Sequence, residues 1–156
     1  MRKMFFYPLL FGLFLLNVAG TCCADDPEVV SIAKNNLTQV NSIISQGTWK
    51  VSYFLDKNSN LTSEYSGYNF TFGMNEILTS NNAANAFSGN WSVVKSNGID
   101  DNPDNDLDFA ISFSSPDTLM ELTAHWDVTE ITETKVRLKS KSGNVDGINY
   151  LTFEKK

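Results

Sequence analysis

The side chains that could do acid–base or metal chemistry are few, and their spacing suits it poorly. His125 is the only histidine. It stands beside Trp126 at the head of an alternating stretch, with no cysteine or second histidine to join it. A lone imidazole there reads as an exposed strand-end residue rather than a metal ligand or a member of a catalytic triad. Cys22 and Cys23 are the only cysteines. They are adjacent and lie upstream of the body, which is left without a thiol nucleophile, a disulfide or a zinc cluster. The densest polar feature is Asp100-Asp101-Asn102-Pro103-Asp104-Asn105-Asp106-Leu107-Asp108. Asp104, Asp106 and Asp108 alternate, a spacing of oxygen ligands that suits calcium. The mid-loop glycine and late glutamate of helix-loop-helix calcium sites are missing, which favours a solvated acidic loop. No glycine-rich phosphate loop and no Gly-x-Ser-x-Gly elbow occurs. The expectation is a protein without catalysis, cofactor or resident metal.

Charge and the first residues point to an exported chain. Met1-Arg2-Lys3 is a short basic start, and Phe5 to Ala19 is nearly all apolar. That run is short for a membrane span and has the layout of a secretory signal. Loss of residues 1–22 takes Arg2 and Lys3 and no acid, so the net charge of −6 becomes −8. An acidic body of this kind does not suit nucleic acid or an anionic membrane surface.

The segment Ala19-Gly20-Thr21-Cys22-Cys23-Ala24-Asp25-Asp26 resembles the bacterial lipobox, in which a cysteine is acylated and becomes the new N-terminus. It departs from the usual pattern of Leu three residues before the cysteine and Gly or Ala directly before it. Cys22 has Ala19 and Thr21 at those places, and Cys23 has Gly20 and Cys22. Ala24-Asp25-Asp26 is similar to the acidic patch behind the acylated cysteine of surface-exposed Bacteroidota lipoproteins, which points to Cys23 with Cys22 as the alternative. The resemblance implies a lipid anchor at the bacterial outer membrane, on its periplasmic or surface side. Plain signal cleavage with free cysteines is the other reading.

The elements that follow change period at Trp49. Asp26, Pro27 and Glu28 form a helix start. Val30, Ala33, Leu37, Val40 and Ile44 then recur at helical spacing. The stripe predicts a helix that closes one end of the next domain or spaces it from the membrane. From Trp49 the period is two, with Trp49, Val51, Tyr53 and Leu55 expected on one face. Further rows are Tyr68, Phe70 and Phe72; a short strand from Ile77 to Ser80; Phe87, Gly89, Trp91 and Val93; Leu107, Phe109, Ile111 and Phe113; Trp126, Val128 and Ile131; Val136 and Leu138; and Tyr150, Leu151 and Phe153. A short helical turn is expected after Ser115-Pro116-Asp117, and turns at residues 57–60, 73–76, 81–84 and 142–147. Eight strands with mostly short links predict an eight-stranded up-and-down antiparallel barrel, preceded by the helix and the signal.

Gly47-Thr48-Trp49 after a helix is similar to the Gly-x-Trp start of lipocalins, whose tryptophan plugs the closed end of such a barrel. A second Gly-x-Trp, Gly89-Asn90-Trp91, together with the stretches 126–138 and 150–155, resembles the lipocalin-like domains of Bacteroidota lipoproteins. The likeness covers about residues 46–155. It divides the chain into a signal (1–22), a tether with the helix (23–46) and the barrel (47–156).

A barrel of eight strands can hold one small ligand or be filled by its own side chains. The residues expected to line a pocket or form the core are Trp49, Val51, Tyr53, Phe70, Phe72, Trp91, Phe109, Ile111, Phe113 and Trp126. Two functions follow. One is a lipid-anchored binding protein for a small apolar ligand. The other is a surface interaction or inhibitor protein with a filled barrel.

Overall fold

Alternating apolar residues need a sheet with one face turned away from water, and a sheet closed on itself provides that without leaving edges. The structure, a computed structural model, describes residues 37–95, 107–141 and 147–156. Its strands are β1 (Trp49–Asp56), β2 (Ser59–Asn60), β3 (Asn69–Phe72), β4 (Ile77–Asn81), β5 (Ala86–Lys95), β6 (Leu107–Ser112), β7 (Ala124–Ile131), β8 (Lys135–Lys141) and β9 (Ile148–Lys155). All pairings are antiparallel between neighbours in the order β2-β1-β3-β4-β5-β6-β7-β8-β9, and β1 also pairs with β9. The result is a closed barrel of eight strands with β2 as a two-residue addition at the end of β1. The turn expected at residues 57–60 thus includes β2.

The seam between β1 and β3 is narrow. Their register holds a single pair, Trp49 with Phe70. Beyond it the strands part, and a 3₁₀ turn (Thr62–Tyr65) fills the space. There the Thr62 hydroxyl accepts the Phe54 backbone N–H (2.9 Å) in place of a neighbouring strand. The strand carrying the Tyr68, Phe70 and Phe72 row therefore starts only at Asn69, with Tyr68 just before it.

Helix α1 (Leu37–Ile44) closes one end, with Val40 and Ile44 fully buried. Eight residues make a marginal helix alone, so its stability comes from that buried stripe. Gly47 has φ +81°, the left-handed conformation that stops a helix and returns the chain. The next-but-one residue, Trp49, donates its indole N–H to the Ile44 carbonyl at 2.9 Å, one of the acceptors a helix end leaves open. The Gly-x-Trp spacing thus has a physical cause, with glycine making the reversal and tryptophan tying helix to barrel. The other two tryptophans act alike. Trp91 donates to the Gly73 carbonyl (3.0 Å) and Trp126 to the Leu122 carbonyl (3.1 Å).

Gly89 in the second Gly-x-Trp answers a different need. A Cβ there would collide with the Ser112 carbonyl oxygen and meet the Phe113 ring at 2.7 Å, so β5 lies against β6 only because Gly89 has no side chain. The far end of the barrel is covered by the 3₁₀ turn and α2 (Asp117–Met120), through buried Tyr65, Leu119 and Leu122.

Two bulges change the phase of the alternation. Register slips between Val51 and Tyr53 opposite Phe153 and Thr152, and between Val128 and Glu130 opposite Leu138 and Arg137. On β1 this turns Phe54 fully inward and sends Tyr53 outward, 39% exposed. The expectation that Tyr53 shares the inner face with Trp49 and Val51 is corrected here, because the extra residue Ser52 moves every later side chain to the opposite face. On β7 the same device brings Ile131 inward.

Candidate functional site

The barrel interior was one candidate. Phe72, 1% exposed, is buried at the end of β3. Its ring meets Trp91, Phe153, Phe109 and Trp49 edge-on, with centroids at 5.4, 5.4, 5.6 and 6.5 Å. Those partners come from β5, β9, β6 and β1, so one ring joins residues of four strands inside the barrel. Nearer the far end, Phe54 meets Tyr65 at 5.4 Å and Trp126 at 6.4 Å. Edge-to-face geometry suits aromatic quadrupoles and adds to the apolar burial. Of the residues named for this interior, Trp49, Val51, Phe70, Phe72, Trp91, Phe109, Ile111, Phe113 and Trp126 are buried. Ser80 on β4 is also fully buried, and its hydroxyl has no hydrogen-bond partner among the described residues.

Tyr65 latches the far end. Its hydroxyl donates to the Thr118 carbonyl at 2.7 Å and lies 3.4 Å from a Glu121 carboxylate oxygen. Burial, first, and then the charges of Glu121, Asp56 and Glu64 push the phenol well above its usual value near 10. The linkage has a definite sign. Unfolded tyrosine gives up its proton as pH passes about 10, while folded Tyr65 keeps it, so stability is intact below that pH and falls above it. Denaturant titrations at about pH 9 and about pH 11 are expected to show a loss, up to ~1.4 kcal/mol per pH unit from this one group. Tyr65→Phe should flatten that fall. An equal fall in wild type and variant would refute the linkage.

Some concavities lined by described residues lie on the outside. One of about 430 Å³ opens where β1 and β3 part, between Lys50, Ser63, Ser66 and Asn69. Another of about 360 Å³ lies under α1, beside Met74 and Glu76. A larger one, about 810 Å³, is a trough on the outer face of β1, β9, β8 and β7. Its size falls in the range of ligand pockets, about 300–1,000 Å³.

The bulges frame this trough. Thr152 on β9 pairs with Tyr53 on one side and Arg137 on the other, and Arg137 pairs with Glu130. Both slips therefore flank one row of the sheet. Each bulged residue turns its hydroxyl to the opposite carbonyl, Ser52 to Thr152 (3.4 Å) and Thr129 to Arg137 (3.0 Å). Thr152 makes a low floor. Tyr53 and Tyr150, 39% and 41% exposed, stand around it. Cross-strand ion pairs complete the face: Lys135 with Glu154 (3.4 Å), Arg137 with Glu130 (3.3 Å) and Lys139 with Asp127 (3.7 Å). All are half-exposed, so they balance charge more than they stabilise.

Sequence reasoning missed this trough, because it is assembled from residues far apart in the chain. Tyr150 directly before Leu151 on β9, where only one of the two neighbours can face inward, was the one local sign. His125 is exposed on β7. Asp104 and Asp106 lie outside the described residues, as do Cys22, Cys23 and the helix start at Asp26; Asp108 lies on β6. Among the described residues no group of three His, Cys, Asp or Glu side chains could hold a metal. No protein-family model, curated protein or solved structure matches the chain.

Proposed function

We propose that this chain is an exported, lipid-anchored, lipocalin-like binding protein without catalysis, acting through the outside of a filled barrel. Cys23, or Cys22, would carry the acyl anchor at the bacterial outer membrane, and residues 24–46 would link it to the barrel. The observation behind the choice is Phe72, whose four ring contacts occupy the bore where a ligand would otherwise sit. Acidic net charge keeps such a domain soluble beside the bilayer.

A small apolar ligand held inside is the second reading. It draws on the unpartnered Ser80 hydroxyl, which could meet a ligand's polar atom. Titration of the full chain with a fluorescent fatty acid separates the two readings, and the filled barrel predicts no saturable signal. In parallel, metabolic labelling with an alkyne fatty acid should mark the wild type and fail in Cys23→Ala or Cys22→Ala. A wild type without label removes the anchor from this reading.

A further inference from the structure

We infer that the trough across β1, β9, β8 and β7 is a binding site for a neutral carbohydrate. This rests on the reading of a filled barrel that works from its outside, and it names the ligand class. The argument begins with the bulge at Ser52. Without it Tyr53 would continue the inward row of Trp49 and Val51; with it, a large ring is turned into water beside Tyr150 on the neighbouring strand. Bulges commonly re-aim side chains at functional sites. Two tyrosine rings then flank the short Thr152, leaving a dish with apolar walls and a hydroxyl floor.

Charge decides what can lie in that dish. Lys135 is held by Glu154 and Arg137 by Glu130, so the rim presents donors and acceptors side by side with little net charge. A strongly anionic or cationic ligand would have to break those pairs. A purely apolar ligand would strip water from the charged groups and offer no hydrogen bond in return. A peptide strand could not add to the sheet here, since β9 is paired on both sides, to β1 and to β8. A sugar ring fits each constraint. Its C–H face packs on tyrosine, and its uncharged hydroxyls both give and accept hydrogen bonds at Arg137, Glu154 and Thr152.

The test is a nuclear magnetic resonance titration of the isotope-labelled full chain in a zwitterionic detergent that has no sugar headgroup. The probes are neutral oligosaccharides of α- or β-linked glucose, mannose, galactose, xylose and N-acetylglucosamine. At least one should shift the amides of Tyr53, Arg137, Tyr150 and Thr152 saturably. Tyr53→Ala and Tyr150→Ala should each weaken binding about tenfold, the worth of one stacked ring. Both rings lie on the outer face and are partly exposed, so the fold should survive their loss. Thr152→Trp, which fills the floor, should abolish binding. If no sugar shifts those amides, the carbohydrate site is wrong and the filled barrel still stands. If sugars or a fatty acid shift only Phe72 and its ring partners, the filled barrel fails and this site fails with it.

Discussion

Phe72→Ala is expected to lower the unfolding free energy by about 3–5 kcal/mol, the cost of truncating a fully buried phenylalanine. The ring is the shared partner of Trp49, Trp91, Phe109 and Phe153. Removing it strips all four of an edge contact at once. The partners are anchored on four different strands of a closed sheet, so they cannot collapse into the space together, and the upper part of that range applies. A domain of ordinary stability has about 5–15 kcal/mol in total. The variant should therefore unfold at much lower urea than the wild type, with a similar slope. It should also gain affinity for a small apolar probe such as benzene, since dry apolar cavities bind such molecules. Phe72→Leu, which keeps most of the volume, should lose much less. Wild-type stability in Phe72→Ala would mean that the bore is not filled by this ring.

Trp49→Ala should be of similar size, about 3–5 kcal/mol, and it should have a local signature as well. Trp49 is fully buried, closes the end under α1, and holds the Ile44 carbonyl through its indole nitrogen. Lys155 lies over its ring, 5.0 Å from the centroid, so the last strand is tied in as well. With the indole gone, α1 loses both a hydrogen-bonded end and a packing surface. Amides of Leu37–Ile44 should exchange with solvent far faster relative to those of β6 and β7. Trp49→Phe separates the two contributions. It keeps most of the apolar contact and loses the hydrogen bond, for roughly 1 kcal/mol. Unchanged exchange in α1 after Trp49→Ala would show that the helix is held by Val40 and Ile44 alone.

The closed antiparallel barrel was legible because most strands keep strict alternation. Leu107, Phe109 and Ile111 fall inward on β6, and Leu151 and Phe153 on β9, as period two requires. The Gly-x-Trp pairs were legible as motifs, though Gly47 and Gly89 turned out to serve different purposes, a chain reversal and a close strand contact. What the residues could not reveal was the phase slip. Tyr53 and Phe54 are adjacent rings, and either could face inward by local preference. The choice is made by pairing with Thr152 and Leu151, far along the chain. The same holds for the trough, whose walls and floor come from four strands. The 3₁₀ turn at Thr62–Tyr65 was hidden for another reason: Tyr65 stands just before the alternating Tyr68-Phe70-Phe72 row and reads as part of the same run, and only the parting of β1 from β3 makes room for a turn there.

The pairing of β1 with β9 has a consequence for how the chain matures. Ser52 and Thr152 meet although they stand 100 positions apart in the sequence, so the cylinder cannot shut until its final ribbon has emerged. Contacts this distant form late and slow the search for the native state. A nascent chain halted before Ile148 would expose both flanks of the unfinished sheet.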